Sequence, residues 1–163
     1  MRARDLAVEY ETVSVDSDAM DAARLMAEHN LPALLVLDER GEPRAILPAS
    51  QMIKMLVPAY VVEDPTLAAV VDEKHADRLC QALAGRRVGD CLPHEATPPP
   101  TADPDHTALE VAALMARVRS PLVAVTERSK GRRTAESTRL LGVITASHLL
   151  HELLGAAEAS DSP

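Results

Sequence analysis

The chain has no phenylalanine and no tryptophan, and its only tyrosines among 163 residues are Tyr10 and Tyr60. The core must therefore be aliphatic, and aromatic platforms on which bases could stack are missing. Positive charge is also short: 17 Lys and Arg face 25 Asp and Glu, for a net charge of −8. Nucleic acid demands a cationic surface, so no nucleic-acid partner is expected. No run of about 18 apolar residues exists, so no membrane insertion is expected. The start, Met1-Arg-Ala-Arg-Asp5, lacks the apolar stretch of a secretory signal, and the expected location is cytoplasmic. The two cysteines, Cys80 and Cys91, form no C-x-x-C pair and define no disulfide framework; reduced, buried thiols are expected. Catalytic signatures are missing as well. There is no G-x-S-x-G, no Walker lysine loop and no H-E-x-x-H, and nothing marks a base for Cys91. No catalytic residue, and so no enzyme, is expected.

What is present is a repeat. One stretch reads Met26-Ala-Glu-His-Asn-Leu-Pro32-Ala-Leu-Leu-Val36, a turn, then Ala45-Ile-Leu-Pro48-Ala-Ser-Gln51. The other reads Met115-Ala-Arg-Val-Arg-Ser-Pro121-Leu-Val-Ala-Val125, a longer turn, then Gly142-Val-Ile-Thr145-Ala-Ser-His148. Met26 and Met115, like Pro32 and Pro121, are offset by 89 residues. A repeat constrains architecture before any local reading does.

Each copy carries the same order of elements. A β-prone segment, residues 11–15 or 96–102, precedes an amphipathic helix. In the second copy Thr107-Ala-Leu-Glu110 fits a capping box, and Val111, Leu114, Met115 and Val118 form one apolar face. In the first copy Asp16, Ser17 or Asp18 supplies the cap, and Met20, Ala23 and Met26 carry the face. Pro32 and Pro121 end the helical pattern. Short apolar runs, 33–37 and 122–125, suit buried strands. The second hairpin is longer by eight residues, which fall in the polar stretch 127–139; a loop is expected there. Helices over 50–56 and 146–154 close the copies, with Gly155 as a cap. Between the copies, Asp64-Pro65 predicts the start of a helix reaching toward Leu83.

This order resembles the cystathionine-β-synthase-type (CBS) domain pair, or Bateman module. Gly142-Val-Ile-Thr145-Ala-Ser-His148 is similar to that family's signature of Gly, hydrophobics, Ser or Thr, two residues, then Asp. Val88-Gly-Asp-Cys-Leu92 and Ala3-Arg-Asp-Leu6 resemble its repeat openings. The resemblance implies an α+β fold, β-α-β-β-α in each repeat, pseudo-twofold, with an inserted helical linker. The expected division is repeat 1 over 1–57, linker over 58–86, repeat 2 over 87–155 and a disordered tail over 156–163. It further implies a free-standing regulatory module, homodimeric, that binds an adenosine-type nucleotide (AMP, ADP, ATP or S-adenosylmethionine) between the repeats and signals to a regulated protein. No cofactor is required; a possible adenine nucleotide ligand is the small molecule implied.

Carried onto this chain, the motif makes Thr145 the phosphate-facing hydroxyl at a strand-to-helix junction, where free amides and the helix dipole favour anions. The ribose-binding Asp is replaced by His148 here and by Gln51 in the first copy, where Pro48 replaces the hydroxyl. Losing that carboxylate costs about 1–3 kcal/mol of binding unless the replacement bonds differently. The candidate ligand-binding residues are Thr145, His148, Ser120, Pro121, Leu122, Thr12, Val13, Leu31, Pro32 and Gln51. His148 and His151 lie one turn apart, but no third ligand is placed, so no metal site is expected. Arg128, Lys130, Arg132, Arg133 and Arg139 form the one cationic cluster, a solvated loop or an anion contact. The competing reading is a dimerisation or protein-interaction module with degenerate, non-binding clefts.

Overall fold

The structure is a computed structural model that describes residues 1–70, 78–129 and 137–160. The expectations for Lys130, Arg132 and Arg133, for linker residues 71–77, for the Cys80 side chain and for residues 161–163 lie outside the described residues. In chain order the elements are α1 Ala3–Leu6, β1 Thr12–Ser14, α2 Ala19–Glu28, β2 Ala33–Leu37, β3 Pro43–Pro48, α3 Ala49–Leu56 and α4 Ala59–Glu63. Two 3₁₀ stretches follow, Pro65–Val70 and Leu79–Leu83. The rest are α5 Val88–Cys91, β4 Thr101–Ala102, α6 Ala108–Val118, β5 Leu122–Ser129, β6 Ser137–Thr145 and α7 Ala146–Ser160. The fold is α+β, with two three-stranded sheets ordered β1-β2-β3 and β4-β5-β6.

These elements fall into two compact units. One holds Thr12–Glu39 and Ala45–Ala96. Its β1 runs parallel to β2, with Thr12 beside Leu35 and Val13 beside Val36. Leu34, Val36, Ala45 and Leu47 of the sheet pack with Ala22 and Met26 of α2 and Met52 of α3. The other unit holds Met1–Glu11, Arg40–Arg44 and Thr97–Pro163. Here Val123, Val125 and Ile144 pack with Val111 and Met115 of α6 and Leu149 of α7. Both cores are aliphatic. Each fully buried Leu or Val contributes about 1.5–3 kcal/mol, and no polar or charged side chain is buried among the described residues.

The helix that opens each repeat joins the unit built on the other repeat's sheet. In one unit the Ala3 amide donates to the His106 carbonyl at 2.8 Å, that of Arg4 to Pro104 at 3.0 Å and that of Ala108 to Met1 at 3.2 Å. In the other, Val88 donates to Ser17 at 2.8 Å, Gly89 to Val15 at 2.9 Å and Ala19 to Arg86 at 2.9 Å. The pairs match residue for residue. Both short helices also carry the same box: the Arg2 amide donates to Asp5 Oδ2 and the Arg87 amide to Asp90 Oδ2, each at 3.0 Å.

Four local expectations are corrected. The second hairpin is strand at both described ends of the stretch assigned to a loop: the ladder continues through Glu127 opposite Arg139, Arg128 opposite Thr138 and Ser129 opposite Ser137. The opposite charges of Glu127 and Arg139 suit a cross-strand pair. The last helix does not stop at Leu154 with Gly155 as its cap, and residues 156–160 are not a disordered tail, because α7 runs on to Ser160. A glycine inside a helix costs only about 1 kcal/mol, and the leucines and alanines around it outweigh that. Pro65 does start a helical segment, with Asp64 Oδ1 accepting from the Thr66 amide at 3.2 Å, but its described part is a 3₁₀ stretch ending at Val70. Val118 is 48% exposed, so the apolar face of α6 ends a turn earlier than its spacing predicts.

Candidate functional site

The junction of β6 and α7 gathers five of the ten candidate residues. Leu122 pairs with Thr145 across the ladder, and the Ala146 amide donates to the Pro121 carbonyl at 2.9 Å. The backbone thus ties the start of β5 to the start of α7. Thr145 Oγ1 accepts from the His148 amide at 3.1 Å and lies 3.4 Å from Ser147 Oγ. The hydroxyl acts as a helix cap, and its own proton stays free to rotate toward a ligand or toward Ser147. Thr145 and His148 are both part-buried, at the positive end of a 15-residue helix.

Beside them Ser120 Oγ donates to the Leu122 carbonyl at 2.7 Å, and the same oxygen lies 3.4 Å from the Leu122 amide. Pro121 is exposed, whereas the Leu122 side chain is buried and offers only its backbone. One residue escaped the sequence reading. Arg119, the left-handed C-cap of α6 at φ 56°, is exposed and leads directly into Ser120. Its counterpart Asn30 is left-handed too, at φ 51°. The 89-residue offset could have found the pair, because Asn tolerates that conformation and Arg does so at a cost.

The other five candidates lie in the other unit. The same backbone tie recurs, with the Ala49 amide donating to the Pro32 carbonyl at 2.9 Å. The chemistry does not. Pro48 offers no side-chain cap, and Gln51 Nε2 donates to the Cys91 carbonyl at 3.1 Å. That bond anchors α3 to α5. Val13 and Leu31 pack against the core, Thr12 is part-buried in β1, and only Pro32 is exposed. Hence Thr12 and Val13 share a unit with Gln51, not with Thr145.

Nothing described equips either junction for covalent chemistry. Burial pushes the Cys91 thiol up, partly offset by the Arg86 guanidinium, and Cys91 Sγ–H lies against the Arg87 carbonyl. A thiol so raised is a poor nucleophile at neutral pH. Among the described residues no group of three or more His, Cys, Asp or Glu is placed to hold a metal ion. No helix among them is long and apolar enough to cross a membrane.

A family model described as "CBS domain" matches residues 3–58 and 88–155. The curated proteins hold no match. Among solved structures, a CBS-domain-containing protein of unknown function from Kribbella flavida is 44% identical, with a TM-score of 0.82, covering 94% of this chain and 99% of that one. CBSX2, from Arabidopsis thaliana, in complex with AMP is 15% identical at TM-score 0.63, covering 96% and 98%. The CBS domain pair of protein MJ0100, in complex with 5′-methylthioadenosine and S-adenosyl-L-methionine, is 17% identical at TM-score 0.60, also covering 96% and 98%.

Proposed function

The chain belongs to the CBS-domain family, and on that footing we propose that it is a regulatory module that binds an adenosine-type ligand at the Thr145 junction. The observation that carries the reading is the Thr145 hydroxyl, held at the start of α7 by the His148 amide and set beside Ser120 and Pro121. Thr145 supplies a hydroxyl, at the positive end of α7, to a phosphate or carboxylate. His148, in the position of the family's carboxylate, accepts one hydrogen bond from a ribose hydroxyl where Asp would accept two. Exposed Arg119 adds a cation next to the same backbone turn. The AMP complex of CBSX2 and the adenosyl complex of the MJ0100 pair show what this fold holds elsewhere.

The first junction is structural in this reading. Gln51 spends its amide on the Cys91 carbonyl, and Pro48 has no hydroxyl to offer. Occupancy at Thr145 acts as a population shift, favouring one conformation by no more than the ligand's difference in affinity for the two. Exposed Leu150, Leu153 and Leu154 recur at i, i+3 and i+4 on α7 and suit a homodimer. A partner protein receives the signal, and the module performs no catalysis.

A thermal-shift screen with AMP, ADP, ATP and S-adenosylmethionine tests this. A true ligand stabilises the fold by about 2.7 kcal/mol at a hundredfold excess over its Kd. No shift from any of the four at millimolar concentration contradicts ligand sensing and leaves protein interaction as the module's role.

A further inference from the structure

We propose a second ligand site in the unit built on β4-β5-β6, for a small phosphorylated sugar. It lies away from the Thr145 junction. Leu122 stands opposite Thr145 and Arg128 opposite Thr138, so the two places are separated along β5 by about 20 Å of strand.

Two cavities, of about 450 and 350 Å³, adjoin there through shared Thr101 and His106. The larger is the size of a small-molecule site. Its lining residues are mostly polar, among them Arg128, His106, Thr101, Thr126 and Thr138. The fold places each of these. The β5–β6 ladder shifts register between Val125 and Thr126, where the buried apolar part of the strand gives way to polar residues. Such a bulge re-aims the side chains beyond it. His106 is held from both sides of its peptide: its amide donates to the Asp103 carbonyl at 3.0 Å, and its carbonyl accepts from Ala3 of α1 at 2.8 Å.

The chemistry selects the ligand. Arg128 and the hydroxyls suit an oxyanion, which a guanidinium meets with two parallel hydrogen bonds. Asp103 lines the same cavity, and with its Oδ1 accepting from the Asp105 amide at 2.9 Å its other oxygen suits a ligand that donates a hydroxyl proton as well. A sugar phosphate satisfies both demands. A whole nucleotide does not, because only Ala102 and Pro43 line the larger cavity with apolar side chains, too little to cover an adenine ring. The smaller cavity extends the space toward Ala113, Leu114 and Arg117 on α6.

Calorimetric titration of the full chain with ribose 5-phosphate, ribose and inorganic phosphate tests the site. Ribose 5-phosphate is expected to bind saturably at millimolar concentration or tighter, and both fragments at least tenfold more weakly. Exposed Arg128 can be changed without disturbing the core, and Arg128→Ala is expected to lose tenfold or more in affinity. Thr138→Val is expected to weaken binding severalfold, and Thr145→Ala to leave it unchanged. The proposal is overturned by no binding at ten millimolar, by wild-type affinity in Arg128→Ala, or by loss of binding in Thr145→Ala. Inorganic phosphate binding as tightly as ribose 5-phosphate would remove the sugar from the assignment. Because the adenosine-type ligand is assigned to Thr145, its absence would leave this result standing.

Discussion

The two strand-to-helix junctions keep one backbone and have lost one chemistry. The Ala49 amide reaches Pro32 and the Ala146 amide reaches Pro121 at the same 2.9 Å. Yet one junction carries a hydroxyl that caps its helix, and the other a proline followed by a glutamine tied to α5. The surroundings have diverged in step. In the second half Val8 and Val143 exchange two hydrogen bonds, at 3.0 and 2.9 Å, and Gly142 makes room for them. In the first half the residue equivalent to Val8 is Pro93, which has no amide proton to donate, and Ala45 stands where Gly142 does. Backbone bonds are obligatory for the fold and persist. Side chains are under no such demand, and at the first junction Gln51 turns its amide inward to the Cys91 carbonyl.

The largest expected effect separates the halves at that clamp. A Cβ on Gly142 would meet the Val8 carbonyl oxygen at 2.9 Å and the Ala7 methyl at 3.1 Å. Gly142→Val is expected to cost about 2–3 kcal/mol in urea unfolding, through the displaced bridge and overpacking. Ala45→Gly, the reverse exchange in the other half, is expected to cost about 1 kcal/mol. Equal losses would erase this difference. Next, Gln51→Ala should destabilise the ligand-free protein by about 1 kcal/mol, because the Cys91 carbonyl loses its partner. His148→Ala should stay within about 0.5 kcal/mol. If His148 proves the costlier deletion, the structural junction has been assigned to the wrong half.

The smallest effect concerns the helix starts. Asp18 alone caps α2, whereas Thr107 and Glu110 cap α6 reciprocally, with the Thr107 amide donating to Glu110 Oε2 at 2.7 Å. That amide, and then the Thr107 hydroxyl, hold the Glu110 carboxyl below its ordinary value. A folded-state pKa below the unfolded one stabilises above the unfolded value, about 4.3, and the gain is lost as pH falls through the folded one. Wild type should therefore exceed Glu110→Gln in stability at neutral pH, and the gap should close on acidification below about 4. A gap independent of pH would show that the box owes nothing to the charge.

The Thr107 box, a cap for α2 among Asp16, Ser17 and Asp18, and the paired prolines were legible because each depends on residues within one turn. The strand-to-helix turn at Thr145 was legible as well, since its residues sit in one short motif. The exchange of opening helices was not: α1 docks on residues about a hundred positions away, and no local periodicity carries such a pairing. The extended β5–β6 arm was hidden for a different reason. Its residues are polar on both faces, so the apolar alternation that marks a strand is missing there. The bond from Gln51 to Cys91 was not legible, because Cys91 lies on a helix the sequence assigned to the other repeat.

The most direct test of the divergence is a calorimetric titration of AMP and of S-adenosylmethionine into wild type, Thr145→Ala and Gln51→Ala. The account predicts that at least one of the two binds wild type and Gln51→Ala alike and loses tenfold or more in affinity on Thr145→Ala. Binding that survives Thr145→Ala but fails in Gln51→Ala would contradict it, placing the ligand at the Gln51 junction.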